Sequence, residues 1–390
     1  MPDAPRWSLA TLPLLEAAPD AVVVVDGTGT VVYANPLIEQ VFGYAPDAVI
    51  GQPVELLLPE DGRTIHRQHR HAYGASRQTR QMGPDIDPSG RHQSGREIPL
   101  DIGLSPIETD DGPLVIAVVR DISEHRRVEN DLRRLNIRLN RDFDAAAHIQ
   151  TSLLPDRPAR IPGITVDWLF DPCARLGGDS FNIFMIGDRF AGFYLLDVTG
   201  HGVVAALQSV ALTRVLAAAW PTSVMSSIRT PAKVTQRLNE QFPINPAVWQ
   251  YFTFLCGVMD LTTNTVRYAS AGHPGPVHIP ANGDPVILEA AGLPIGMFPD
   301  ADYDEFVVTL GGGDRLYFYS DGVTDALNQA DEDFGRERLM ETLDATQTLP
   351  LAGTLRDLRA AVSRWRGTDR LDDDLTMLAI EVPARRGART

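Results

Sequence analysis

The sequence predicts a mixed α/β (α+β) protein in three segments: a small α/β module, a long helix, and a larger domain of sheets covered by helices. Three observations carry that expectation. Short β-branched runs in the first third are separated by Gly and Asp turns. A polar stretch from about Glu124 to Gln150 carries apolar residues at steps of four and three. The remainder combines buried-type strands with separate apolar helices. With 390 residues, 44% hydrophobic and 22% charged, the chain is long enough for two or three domains with sizeable cores.

The first segment is read as 7–123. Ala21–Val25 is a β-branched strand, Asp26-Gly27-Thr28-Gly29 a hairpin turn, and Val31–Tyr33 the return strand. The polar, His- and Arg-rich stretch Arg63–Gln81 predicts a short helix and a surface loop. Glu97–Ser105 alternates apolar and polar residues, Asp110-Asp111-Gly112 turns, and Leu114–Val119 is a buried strand. The second segment, 124–150, places Val128, Leu132, Leu135, Leu139, Ala146 and Ile149 on a heptad seam that Asp142 interrupts. Such a seam predicts a coiled-coil linker and a homodimer, against an amphipathic helix lying on its own domain. The third segment, 151–383, opens with Pro155, Pro158 and Pro162, which end the helix. Strands are expected at Phe190–Leu196, Thr253–Asp260, Val266–Ala269, Leu316–Tyr319 and Leu375–Val382, and helices at Val203–Ala219, Ala232–Phe242 and Leu355–Trp365. The basic tail 384–390 is expected to be disordered.

A net charge of −16 argues against a nucleic-acid surface, which needs clustered Lys and Arg. Two cysteines, Cys173 and Cys256, cannot build a zinc cluster or a disulfide framework and fit a reducing compartment. No signal peptide is read at the N-terminus, and no apolar run is long enough to span a membrane. The expected location is the cytoplasm.

The chemistry is carried by aspartates at the ends of buried strands. Asp179 follows two glycines, Asp197 and Asp321 each follow a strand, and Asp373 and Asp374 precede one. Singly, such residues are turn or cap aspartates. Antiparallel pairing sets one strand's end beside the next strand's start, so together they could gather at one sheet edge. Two bare carboxylates about 4 Å apart repel by roughly 4 kcal/mol at an effective dielectric near 20. Divalent cations relieve that repulsion, and hard oxygen ligands suit Mg²⁺ or Mn²⁺. The arrangement points to metal-assisted hydrolysis.

Gly177-Gly178-Asp179, Asp197-Val198-Thr199-Gly200-His201-Gly202, Ala269-Ser270-Ala271-Gly272-His273-Pro274, Gly313-Asp314-Arg315-Leu316, Tyr319-Ser320-Asp321-Gly322 and Asp373-Asp374-Leu375-Thr376 occur in this order. The set resembles PPM-type (type 2C-like) serine/threonine phosphatases, most closely the bacterial SpoIIE branch, whose opening segment Ile149–Pro155 also resembles. The resemblance implies an αββα sandwich with two metal ions at one edge. Carried over, Asp197 would bridge both ions, the Val198 carbonyl would serve the second, and Asp321 and Asp373 would hold the first. Asp179 would act directly or through water, and Asp374 from farther out. The ions would activate water for in-line attack on phosphorus without a covalent phosphoenzyme. Asn182 departs from the acidic residue common in the family. His201 is a candidate general acid, and His273 is read as structural.

In the first segment, Phe42-Gly43-Tyr44, Gly95–Pro99 and Val118–Glu124 resemble a PAS sensor domain. Its ligand is left open among a small apolar molecule, a protein partner and none. The absence of cysteine before Cys173 excludes flavin–cysteinyl photochemistry, and His66, His69 and His71 read better as a solvated basic helix than as haem ligands. The resemblance implies a PAS-regulated protein phosphatase acting on a phosphoprotein, typically a STAS-type anti-sigma-factor antagonist. The competing readings are a catalytically dead phosphatase fold used for binding and a PAS histidine kinase. The full aspartate set argues against the first, and no glycine-rich nucleotide lid supports the second.

Overall fold

A computed structural model describes residues 12–76, 79–82, 88–109, 112–155, 157, 159–200, 202–222, 230–243 and 251–384. Residues 7–11, Asp110, Asp111, Pro158, His201 and the tail from 385 lie outside the described residues. The chain divides into two compact units, Met1–Arg138 and Leu139–Thr390.

The first unit contains α1 (Leu12–Glu16), β1 (Ala21–Asp26), β2 (Val31–Ala34), α2 (Leu37–Phe42), α3 (Pro46–Val49), a 3₁₀ turn (Val54–Leu57), α4 (Arg63–Ser76), β3 (Arg80–Met82), β4 (Ser89–Arg91), β5 (Glu97–Thr109) and β6 (Gly112–Asp121). The strands form an antiparallel sheet in the order β2-β1-β6-β5-β3, with β4 also on β5. The first hairpin forms because Asp26 Oδ1 accepts the amides of Thr28 and Thr30, both at 2.9 Å, while Gly29 takes φ 87°. Val23, Ile38, Phe42, Ile98 and Leu100 fill its core. Two expectations change here. The Arg63–Gln81 tract is a 14-residue helix followed by a paired strand rather than a short helix and a loop. Strand β5 continues through Pro106, opposite Val115, beyond the expected end at Ser105.

Helix α5 runs unbroken from Ser123 to Thr151. Asp121 Oδ1 accepts the Ser123 amide at 2.8 Å, satisfying one of the free donors at its start. Within this chain the seam residues Val128, Leu132, Leu135, Leu139 and Ile149 are each more than half exposed.

The second unit adds β7 (Thr165–Asp171), β8 (Ser180–Ile186), β9 (Phe190–Val198), α6 (Val203–Thr222), α7 (Pro231–Gln241), β10 (Phe252–Asp260), β11 (Thr265–Ala271), β12 (Val277–Ile279), β13 (Val286–Ile287), β14 (Phe306–Thr309), β15 (Arg315–Tyr319), α8 (Asp321–Thr324), α9 (Gly335–Ala345), α10 (Leu351–Arg366) and β16 (Leu375–Glu381). Two five-stranded antiparallel sheets result, β14-β11-β10-β9-β8 and β13-β12-β15-β16-β7. Phe181, Phe193, Leu195 and Leu255 of the first meet Leu316, Phe318, Leu378 and Ile380 of the second. The Phe193 and Phe318 ring centroids lie 4.5 Å apart. Because side chains alternate along a strand, Tyr194, Leu196 and Phe254 face the other way, onto Leu212, Leu216 and Leu238 of α6 and α7. Tyr317, Tyr319 and Met377 likewise face Leu339, Leu343, Leu355 and Leu358 of α9 and α10. Both sheets are covered on both faces, which is why β9, β10 and β16 read as continuous apolar runs. Fully burying one such side chain contributes about 1.5–3 kcal/mol. The layers are helix, sheet, sheet, helix, the αββα sandwich.

Candidate active site

Each sheet brings two acidic segments to one of its ends. Asp179 lies just before β8 and Asp197 near the end of β9, and pairing of Ser180 with Leu196 sets these positions side by side. Asp321 opens α8 after β15, and Asp373 and Asp374 precede β16, where Tyr319 pairs with Met377. The two groups touch. Asp374, buried, accepts the Gly178 amide at 2.6 Å and the Asp179 amide at 3.3 Å on Oδ2, and the Cys173 amide at 2.9 Å on Oδ1. Asp374 therefore staples the Cys173–Asp179 segment to the second sheet. Asp373 is more exposed, and its Oδ1 accepts the Asp374 amide at 2.8 Å. The Cys173 thiol and the Asp373 and Asp374 carboxylates present ligand atoms within 4.8 Å of one another.

Asp179, Asp197 and Asp321 resist ionisation. Burial, then the neighbouring Asp197 and Asp374, hold the Asp179 carboxyl well above the usual range. Burial, then Asp321 and Asp373, push Asp197 up to about 7. Burial, then Asp373 and Asp325, raise Asp321 to about 6. Asp314, in the same domain, behaves in the opposite sense. Burial works against its charge, but the amides of Ala281 and Gly311 and the His278 ring outweigh burial and lower it. Asp179 Oδ2 has no such donor: it is fully buried without a hydrogen-bond partner. An orphaned carboxylate oxygen among acids that burial disfavours fits a site for a positive charge.

The backbone leaves room for such a charge. A Cβ on Gly178 would come 2.8 Å from the Val198 carbonyl oxygen and 3.2 Å from that of Gly200. Gly200 and Gly202 adopt φ 93° and 83°, and Thr199 ties the turn to β10 through its amide, 3.1 Å from the Tyr251 carbonyl oxygen. Carboxylate and carbonyl oxygens are the donor set a hard divalent cation takes. His273 is not a titrating partner near neutral pH. It is buried, its Nδ1 lies 2.8 Å from Thr253 Oγ1, and burial pushes it down to about 3. The Cys173 thiol is pushed up to about 12 by burial, with Asp374 and Asp373 adding to the effect. Burial raises the Tyr194 hydroxyl, with Thr213, Asn182 and Ser180 working against that rise.

Three polar residues at this site escaped the sequence reading. Gln150, near the end of α5, donates Nε2 to the Gly177 carbonyl at 2.6 Å and accepts the Gly177 amide on Oε1 at 3.2 Å. Its Nε2 also lies 3.4 Å from Ser209 Oγ on α6. Ser320 Oγ donates to the Asp374 carbonyl and accepts the Thr376 amide, both at 3.1 Å, and Thr376 and Ser320 work against the upward shift of the Asp179 carboxyl. A polar residue next to the apolar seam position Ile149 was the available signal for Gln150. Ser320 and Thr376 sit inside motifs but resemble ordinary turn residues.

Comparison with known proteins adds to this geometry. Residues 187–383 match the family Stage II sporulation protein E (SpoIIE), and residues 13–122 match the PAS fold. The chain is 22% identical over 351 residues to phosphoserine phosphatase RsbP of Bacillus subtilis, covering 80% of this chain and 86% of that one. It is 26% identical over 195 residues to phosphoserine phosphatase RsbU of the same organism, covering 50% of this chain and 56% of RsbU. Among solved structures, the SiaA-PP2C domain of Pseudomonas aeruginosa aligns with TM-score 0.56 at 22% identity, covering 63% of this chain and 98% of that domain. This last likeness speaks to fold. With the family match spanning residues 187–383, the chain belongs to the SpoIIE family: a PAS-linked protein phosphatase with a PP2C-type fold.

Proposed function

We propose that this phosphatase removes phosphate from a serine or threonine of a STAS-type anti-sigma-factor antagonist, and so works in partner-switching control in the cytoplasm. The reaction adds water across the phosphorus–oxygen ester bond, returning a hydroxyl side chain and inorganic phosphate. Asp197, Asp321, Asp373 and the Val198 carbonyl are proposed to hold two cations, Mn²⁺ or Mg²⁺, with Asp179 binding directly or through water. Asp374, committed to three amides, is assigned the task of fixing the Asp179 segment. Bound cations would polarise water and neutralise phosphoryl oxygens. Before they bind, burial and then the neighbouring acids hold Asp179, Asp197 and Asp321 back from ionising.

The observation that carries this reading is the unpartnered, fully buried Asp179 oxygen beside acids from both sheets. The deciding measurement is hydrolysis of a model phosphate ester with and without Mn²⁺ by wild type and Asp197→Ala. Losing a metal-binding carboxylate should lower the rate more than about 100-fold, beyond the 10–100-fold typical of outer-shell changes. Activity surviving the substitution removes Asp197 from the bridging role. Turnover of a phosphorylated STAS domain no faster than of an unrelated phosphopeptide would refute the substrate assignment.

Regulation is proposed to pass through α5. Its exposed apolar seam suits a coiled-coil homodimer, and Gln150 links the helix to the loop that carries Asp179. A change in seam register, driven from the PAS unit, would alter that link and the position of α6.

A further inference from the structure

The loop that leads into Asp373 is held by arginine side chains from one helix. Helix α10 ends at Arg366, and Gly367 closes it with φ 71° and its amide donating a hydrogen bond to the Ser363 carbonyl at 2.9 Å. Residues 367–372 then cross to the start of β16. The Arg366 side chain is only 7% exposed, a costly place for a cation unless its donors are used. Its Nε donates to the Arg370 carbonyl at 3.0 Å and its NH2 to Asp372 Oδ2 at 2.7 Å. About two helical turns back, Arg359 NH2 donates to the Asp369 carbonyl at 2.9 Å, while its Nε pairs with Asp171 of β7. Leu371 is buried among the α9–α10 side chains, so the middle of the loop is anchored as well. Successive carbonyls, 369 and 370, are thus gripped by separate guanidinium groups just upstream of Asp373.

We infer that Arg366 is a positioning residue for Asp373: its planar fork spans the Arg370 carbonyl and the Asp372 carboxylate and fixes where the β16 carboxylates begin. The inference rests on the proposed role of Asp373 as a cation ligand. A fork of this kind cannot be replaced by an ammonium, which presents a point charge without the two fixed donor directions. A second explanation, that Arg366 only places positive charge at the C-terminal end of α10, predicts a different outcome, because lysine supplies that charge equally.

The full-length chain, stripped of metal with a chelator, is titrated with Mn²⁺ by isothermal calorimetry and melted with and without Mn²⁺. In Arg366→Lys, which keeps charge and fold, the Mn²⁺ dissociation constant should rise about tenfold, as outer-shell changes do. Arg366→Met should show a similar rise, although removing a positive charge would by simple attraction favour a cation. Arg315 provides the contrast. It is equally buried, at the opposite end of β15 from Asp321, with NH2 on the Leu349 carbonyl at 2.7 Å and beside Glu381. Arg315→Met should lower the melting temperature and leave the Mn²⁺ constant unchanged. Wild-type Mn²⁺ binding by Arg366→Lys, with binding weakened in Asp373→Asn, overturns the inference alone. An unchanged constant in Asp373→Asn overturns the ligand role on which it rests.

Discussion

The Asp179 carboxylate has one oxygen with no donor and two acidic neighbours, and this fixes how the site responds to pH. Asp197 at about 7 and Asp321 at about 6 titrate above their unfolded range, so the metal-free folded chain holds more protons than the unfolded one. Stability that is complete below the unfolded carboxylate range is then lost as pH rises through the folded values. Metal-free protein should melt at a lower temperature at about pH 8 than at about pH 5, with the decline starting in the unfolded carboxylate range and levelling off above the folded values. Saturating Mn²⁺ should flatten that decline, since cation and proton compete. Calorimetric melts across the window check both, and a metal-free melting temperature that climbs with pH would contradict the electrostatics. A steric prediction accompanies it. Gly178→Ala puts a methyl group 2.8 Å from the Val198 carbonyl, a contact only backbone movement relieves. Overpacking of this kind costs about 1–3 kcal/mol of stability. The phosphatase rate should fall with it, because the displaced segment carries Asp179; melting and turnover of the variant read the two effects separately.

Among the secondary-structure elements, α5 is the one whose two ends have different tasks. Its start is capped by Asp121, and its end contributes Gln150 to the Gly177 loop. Replacing Asp142 in the seam by leucine is expected to lock one register. Phosphatase rate and oligomeric state, measured together, should then change; if neither moves, the register-switch proposal is wrong. Gln150→Ala should leave the oligomer intact while altering turnover, because it removes both contacts to Gly177 without touching the seam. Legibility from sequence also divides at this scale. Strands β9, β10 and β16 and helix α6 were readable as long apolar runs, and α10 from apolar residues at helical spacing. Strand β7 was not: Asp167 and Asp171 interrupt its alternation, and it is an edge strand with half-buried residues. Helix α9 was missed because its polar sequence buries little more than Leu339 and Leu343. The positions of Asp179, Asp197, Asp321 and Asp373 at strand junctions were visible from residue order. That Asp374 would spend both oxygens on amides of a segment some 200 residues away was not, because only tertiary pairing of β16 with β7 brings them together.

For the whole molecule, the prediction concerns assembly. Exposed leucines along α5, Leu132 and Leu135 among them, are at home on a surface only if something covers them. The homodimer proposal expects light scattering to give twice the chain mass for wild type and the chain mass for Leu132→Asp combined with Leu135→Asp. A wild-type monomer at micromolar concentration would refute it. Among the described residues no helix is long and apolar enough to cross a membrane.

The two sheets of the phosphatase domain contribute acids in equal measure, Asp179 and Asp197 from one, Asp321 and Asp373 from the other. The two ions proposed to sit among them would act as rivets through both layers. Loading them should then slow hydrogen exchange in β9 and β16 together, although the strands belong to different sheets, and chelation should release both at once.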